Sequence, residues 1–171
     1  MFQDQGLDWM YKNPNLTYAQ RKTPLLCWDF YAEQFDKVKT HVFEKSFLLK
    51  MSQKMAWAIS TDFIHNIPQD TVVVVTNPKL EIVFVTENMQ GLNGYKPEEV
   101  IGGTPRMFQG KDTCVKTSKE IGLAIKAQKP FEKTVLNYCK DGSIYICHIQ
   151  GFPIFDKKGN LTNFVALERA A

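Results

Sequence analysis

Hydrophobic positions follow two different rhythms along the chain, and the change falls near Ile67-Pro68. Between Pro24 and His65 there is no proline or glycine after the first residue, and Thr23-Pro24 supplies an N-cap followed by proline at the first helical position. Leu25, Trp28, Tyr31, Phe35, Val38 and Val42 recur at intervals of three and four, the spacing of an amphipathic helix. Phe47, Met51, Met55 and Ile59 form a second series, and one helix covering both would be unusually long. The pattern therefore predicts a break or bend between about residues 40 and 50.

After Pro68 the period shortens. TVVVVT (71–76) and EIVFVT (81–86) are β-branched runs joined by Asn77-Pro78-Lys79-Leu80, which predicts a hairpin. ENMQGLNGYKPEEVIGG breaks into short helical pieces at its glycines, and residues 113–128 carry a longer helical pattern ended by Lys129-Pro130. Three more extended runs follow, Phe131 to Lys140, Ser143 to Phe155 and Leu161 to Glu168. Asp141-Gly142 and Lys158-Gly159-Asn160 separate them. This order predicts an α+β domain: five antiparallel strands with short helices on one face.

Composition changes little in this picture. The 171 residues are 44% hydrophobic and 23% charged, ordinary for a globular protein with one well-packed core. A formal net charge of +3, with both signs interspersed, gives no basic stripe for nucleic acid. MFQDQGLDWM has neither the basic start nor the apolar run of a signal peptide, and no run is long enough to span a bilayer. A cytoplasmic protein without membrane attachment is expected. Cys27, Cys114, Cys139 and Cys147 form no CxxC pair, so reduced thiols are expected and no metal site.

The residues carrying a family resemblance begin at Val72. GYKPEEVIGGTPRMFQGKDT, VLNYCKDGSIY and FPIFDKKGNLTNFVALE together resemble the light-oxygen-voltage (LOV) branch of the PAS domain family. The resemblance covers about the last hundred residues, a usual domain size, and from Gly102 to Glu168 it runs without a gap. It implies a PAS fold over 67–171, with residues 1–66 a helical extension acting as a cap or a dimer interface.

In the photoactive family a cysteine beside the flavin forms a covalent bond to the ring after illumination. The resemblance puts that cysteine at Pro105, which has no nucleophile, so the cysteinyl-flavin photocycle is not expected here. Two asparagines and a glutamine hold the ring's polar edge in the family. By resemblance these are Asn137, Cys147 and Glu168: one amide kept, one replaced by a thiol and one by a carboxyl. Around the phosphate, Arg106 and Gln109 are kept, and the second arginine falls on Gly122. Such losses cost several kcal/mol, at roughly 1.5–3 kcal/mol per charged hydrogen bond, so FMN is disfavoured and no cofactor is expected.

The resemblance lines the pocket with Pro105, Val135, Asn137, Cys147, Ile149 and Glu168. It holds either a small amphipathic molecule with a donor for Glu168, or the side chains of Met107, Phe108 and Phe152. Strand alternation puts Glu168 inward with Ala166, opposite Leu167 and Arg169, and puts Cys147 and His148 on opposite faces. A haem-ligating role for His65 has no support in its flanking residues. No nucleophile motif, phosphate loop or paired acids in a cleft marks an enzyme. The expected function is a non-catalytic sensor or signalling module acting through a small ligand, a homodimer or a separate signalling protein. The alternatives are a flavin-binding light or redox sensor working without an adduct, and an enzyme with an unrecognised site.

Overall fold

A computed structural model describes residues 23–171, with side chains described from residue 32 on except residue 33. Phe43–Ala171 forms one compact unit. The first helix, α1, runs without interruption over Thr23–Lys54, so the break expected between residues 40 and 50 is absent. The chain turns instead at 55–60, where Ala56 takes a left-handed φ of 51° and Trp57 forms a bridge to Asp156. A short helix α2, Thr61–His65, follows, its N-cap Ser60 accepting the Asp62 N–H.

The hairpin of β1 (Val72–Thr76) and β2 (Ile82–Val85) closes where its turn residues were expected. The Asn77 side chain accepts the N–H groups of Lys79 and Glu81, which holds the turn locally. Three short helical pieces come next. They are α3 (Met89–Asn93), ended by Gly94 at φ 80°; α4 (Pro97–Val100); and a 3-10 turn over Pro105–Phe108. Helix α5 (Val115–Lys126) leads to β3 (Phe131–Tyr138), β4 (Ile144–Phe155) and β5 (Leu161–Ala170). The sheet is antiparallel in the order β2-β1-β5-β4-β3, so first and last strands lie side by side at its centre.

Both faces of the sheet are covered, each by its own apolar cluster. On the inner face Val72, Val74, Ile82 and Val85 pack with Met89, Val100 and Phe108 from the short helices. On the outer face Val73, Val75, Ile154 and Val165 pack with Leu48, Trp57, Ile64 and Ile67 from the helical segment before β1. Burial of both faces explains why VVVV is a continuous apolar run and not an alternating one. Two polar links reinforce the outer layer. Glu44 accepts the Glu87 N–H at 2.6 Å, and Trp57 Nε1 donates to Asn163 Oδ1, whose amide donates to the Thr76 carbonyl.

Part of the second series singled out by the periodicity packs on the sheet: Met51 joins the outer cluster, as does Ile59 beyond the helix, and Phe47 stacks on Phe84 of β2 at 5.1 Å. Leu48 and Glu44 are buried, whereas Phe35, Val38, Val42 and Phe43 are exposed. Leu25, Trp28 and Tyr31 lie outside the described side chains.

Candidate functional site

The inner face of the sheet carries a polar cluster where hydrophobic packing would be expected. Val135 lies directly across from Cys147, Asn137 from Tyr145, and Ile149 between Lys133 and Glu168. Directly opposed residues share a face, so these side chains form one surface. Val135, Asn137, Cys147 and Glu168 are all buried and Ile149 is half-buried. The expected orientation of Glu168 holds: Ala166 packs with the inner cluster and Leu167 with the outer one, while Arg169 is exposed.

Glu168 is the least compensated group in the cluster. Its hydrogen-bond partner is the Cys147 thiol, whose Sγ donates to Oε2 at 3.8 Å, and no described cation pairs with it. Lys133, on the same side of β3, is committed to Glu120 at 2.6 Å. Burial pushes the Glu168 carboxyl up to about 7, the thiol bond opposing only weakly. Burial also raises the Cys147 thiol, helped by the neighbouring carboxylate charge. Near neutral pH this thiol is therefore a weak donor and not a thiolate.

Two members were missed from the sequence. Asn93 is buried and its Nδ2 donates to the Tyr145 hydroxyl at 3.5 Å. Burial raises the Tyr145 phenol above its ordinary value, so it remains protonated. Tyr145 has the same strand parity as Cys147, a signal that was available. Asn137 completes the group, its Oδ1 buried without a hydrogen-bond partner. An unpaired buried acceptor and an unneutralised carboxyl on one face of the sheet both cost stability, which suits a place where something else binds.

The other predicted residues lie on and just after the 3-10 turn. Pro105 is half-buried at the start of the 3-10 turn, Arg106 is exposed and Gln109 is half-buried. Gln109 Oε1 accepts from Ser118 at 3.5 Å, and the Arg106 side chain has no ion pair among the described residues. The turn is followed by a loop anchored on β3: Thr113 Oγ1 donates to the Leu136 carbonyl, and the Tyr138 hydroxyl donates to Asp112. Two of the side chains expected to fill the pocket do not. Phe152 lies on the outer face, edge-on to Phe63 at 5.5 Å, because its parity is opposite to that of Cys147 and Ile149. Met107 is 37% exposed, leaving Phe108 buried against Tyr95.

Two clefts among the described residues are lined by none of Pro105, Arg106, Gln109, Asn137, Cys147 and Glu168. The larger, of about 700 Å³, lies at one end of the sheet between α3 and the strand ends, with Val72, Leu92 and Ala170 in its wall. Val72 is the cross-strand partner of Glu168, and Ala170 that of Cys147. This cleft therefore abuts the buried cluster. Cys147 and His148 do face opposite sides, with His148 held by Glu132 at 2.9 Å. His65 is exposed, and no group of three or more potential metal ligands occurs among the described residues.

With this geometry in hand, comparison with known proteins is decisive for the family. A family model described as "PAS domain" matches residues 69–169. The chain belongs to the PAS domain family. The sheet order and the helices on its inner face are those of the PAS fold, and LOV domains are among the solved structures that match. The light-state structure of the blue-light photoreceptor Aureochrome1 LOV superposes with a TM-score of 0.57 at 26% identity, over 58% of this chain and 80% of that one. A blue-light-activated histidine kinase of Brucella anthropi is 34% identical over 97 residues, 55% of this chain and 20% of the kinase. Phototropin-2 of Oryza sativa is 32% identical over 123 residues, 71% of this chain and 13% of that protein. The chain thus spans a fifth or less of the length of these two relatives, and what it shares with them is the PAS/LOV-type sensor module.

A flavin, which the LOV relatives suggest, is a poor match to the residues present. The polar edge of its ring shows two carbonyl acceptors flanking one N–H donor. The cluster answers with an ionisable carboxyl, a thiol already directed at that carboxyl and an orphaned amide oxygen. The Asn137 Nδ2 and the Tyr145 O–H can donate, but Glu168 donates only while protonated, and above its midpoint it turns two acceptors toward a ring carbonyl. On the phosphate side Arg106 and Gln109 remain, and Gly122, exposed on α5, supplies no second charge. No helix among the described residues is long and apolar enough to cross a membrane.

Proposed function

We propose that the chain is a non-catalytic PAS sensor module of the cytoplasm that works by binding a small molecule on the inner face of its sheet and passing the change to a partner. The observation that carries this reading is the buried, uncompensated pair of acceptors, Glu168 and Asn137 Oδ1, on the face where PAS/LOV-type modules hold their ligands. A side-chain-filled core has no use for a carboxyl whose hydrogen-bond partner is a thiol 3.8 Å away. The cysteinyl-flavin photocycle is absent in this reading, because Pro105 stands at the reactive position and supplies no sulfur. Output runs through association, with a second copy or a separate signalling protein as partner.

The test is the purified full chain, examined by visible absorption and by native mass spectrometry for a co-purifying small molecule, then challenged with FMN. The reading expects a colourless protein that takes up no FMN, and a ligand-dependent mass or thermal shift that Glu168→Ala abolishes. Stoichiometric FMN uptake would overturn the flavin-free part. A ligand whose binding ignores Glu168→Ala and Asn137→Ala would overturn the placement of the site.

A further inference from the structure

We infer that the Glu168 site takes a planar, nitrogen-donor-rich cationic group of the amidinium or guanidinium type, and not the imide edge of a flavin. The inference rests on the ligand-binding reading above and names the chemistry that this chain would select.

The polar groups on the inner face of β3, β4 and β5 set what this surface can bind. From β5 comes the Glu168 carboxyl, an acceptor at both oxygens when ionised. From β3 comes the unpartnered Oδ1 of Asn137. From β4 come the Cys147 thiol, directed at Glu168, and the Tyr145 hydroxyl, which already accepts from Asn93 of α3. From β1 comes Val72, which is apolar. No described cation reaches the carboxyl, since Lys133 is tied to Glu120 and Arg169 is exposed on the other side of β5. Asn137 Nδ2 and the Tyr145 O–H are neutral donors of the set, whereas Glu168 carries its one potential negative charge with a thiol for a donor. The complement of that carboxylate is a group with several N–H donors and a positive charge. A planar amidinium presents two N–H bonds to the two oxygens of one carboxylate, the strongest arrangement a carboxyl can form.

The neighbouring cleft supplies a way in. Its wall includes Val72 and Ala170, the cross-strand partners of Glu168 and Cys147, and its opposite side is α3 at Leu92. Asp70, His148 and Arg169 also line it, His148 being paired with Glu132 at 2.9 Å. Within the buried cluster the other titratable groups are Cys147 and Tyr145, both held protonated by burial, so there the carboxyl is the group whose charge changes near neutrality. His148 of the cleft wall lies on the opposite face of β4, and the Glu168→Gln profile separates its contribution.

Calorimetry or NMR titration of the intact chain with benzamidinium, its neutral analogue benzamide, and FMN tests the inference. Benzamidinium should bind in preference to both and should gain about tenfold in affinity between pH 6 and pH 8, as the carboxyl ionises about its raised midpoint. Glu168→Gln should lose at least tenfold for benzamidinium and flatten that pH profile. Should the variant fail to fold, the pH profile of the unaltered chain decides alone. Benzamide or FMN binding as well as benzamidinium overturns the inference and leaves the ligand-binding reading standing. A chain that binds none of the three probes overturns the inference, and the reading falls with it only when the purified protein also carries no small molecule.

Discussion

Replacing Glu168 with glutamine should stabilise the protein, and only above a certain pH. The native carboxyl is fully buried with a thiol for a partner, and its midpoint is pushed up from 4.5 to about 7. Below pH 4.5 the carboxyl is protonated in both folded and unfolded chains, so it contributes no pH dependence. Between 4.5 and 7 the unfolded chain releases the proton and the folded one keeps it, and stability falls as pH rises. Above 7 both are ionised and the loss is complete. At about 1.4 kcal/mol per unit, a displacement of this size amounts to about 3 kcal/mol. Glutamine has the same shape and never ionises. The stability difference between Glu168→Gln and the unaltered chain should therefore grow from near zero at pH 4 to about 3 kcal/mol at pH 8. With a urea slope of about 2 kcal/mol per molar for a protein of this size, the midpoint should move by about 1.5 M. Urea unfolding at several pH values, followed by far-UV circular dichroism, measures this directly. A difference that stays constant from pH 4.5 to 8 would refute the burial argument, since it would mean the carboxyl titrates alike in both states.

Three further substitutions probe other parts of the account. Leu48→Ala removes the α1 side chain that is 3% exposed against the outer face of the sheet, and should cost about 2–5 kcal/mol by urea or thermal unfolding; a cost under about 0.5 kcal/mol would show that this helix does not dock there. Gly110→Ala places a Cβ within the van der Waals envelope of the Tyr138 ring, which cannot swing away without breaking its hydroxyl contacts to Asp112. A loss of about 1–3 kcal/mol is expected, relieved when Tyr138→Ala is added in a double-mutant cycle. Pro105→Cys restores sulfur to the turn but no donor to the ring edge. Illumination with added FMN should then leave the flavin's visible band unchanged, and a reversible light-driven loss of that band would contradict the misfit argument.

How far the sequence disclosed these features depends on the kind of signal each leaves. The five strands were legible because β-branched runs alternate with turn residues: Gly142 and Gly159 both carry φ near +85°, which glycine adopts freely and other residues only at a cost. The uninterrupted α1 was not legible. Its exposed series of Phe35, Val38 and Val42 and its buried pair Glu44 and Leu48 belong to different faces, and a change of face resembles a break in a one-dimensional pattern. That the helical segment covers the outer face of the sheet leaves no local signal at all, because the contacts of Leu48 and Trp57 with Val165 and Ile154 are set by tertiary packing. At the candidate site, alternation correctly turned Glu168 inward, and the same rule applied to β4 would have sent Phe152 outward and brought Tyr145 in. Asn93 could be placed only by the fold, since α3 carries it to β4 from about fifty residues away in sequence.

The central claim is that Glu168 is a buried, uncompensated acceptor kept for a cationic ligand. A carbon-13 NMR titration of the Glu168 side-chain carboxyl in the intact chain, with and without benzamidinium, tests it most directly. The account predicts a midpoint near 7 in the free protein that falls when benzamidinium is bound, because a partner for the ionised form lowers the pH at which that form appears. A midpoint in the ordinary glutamate range, unmoved by benzamidinium, would contradict it.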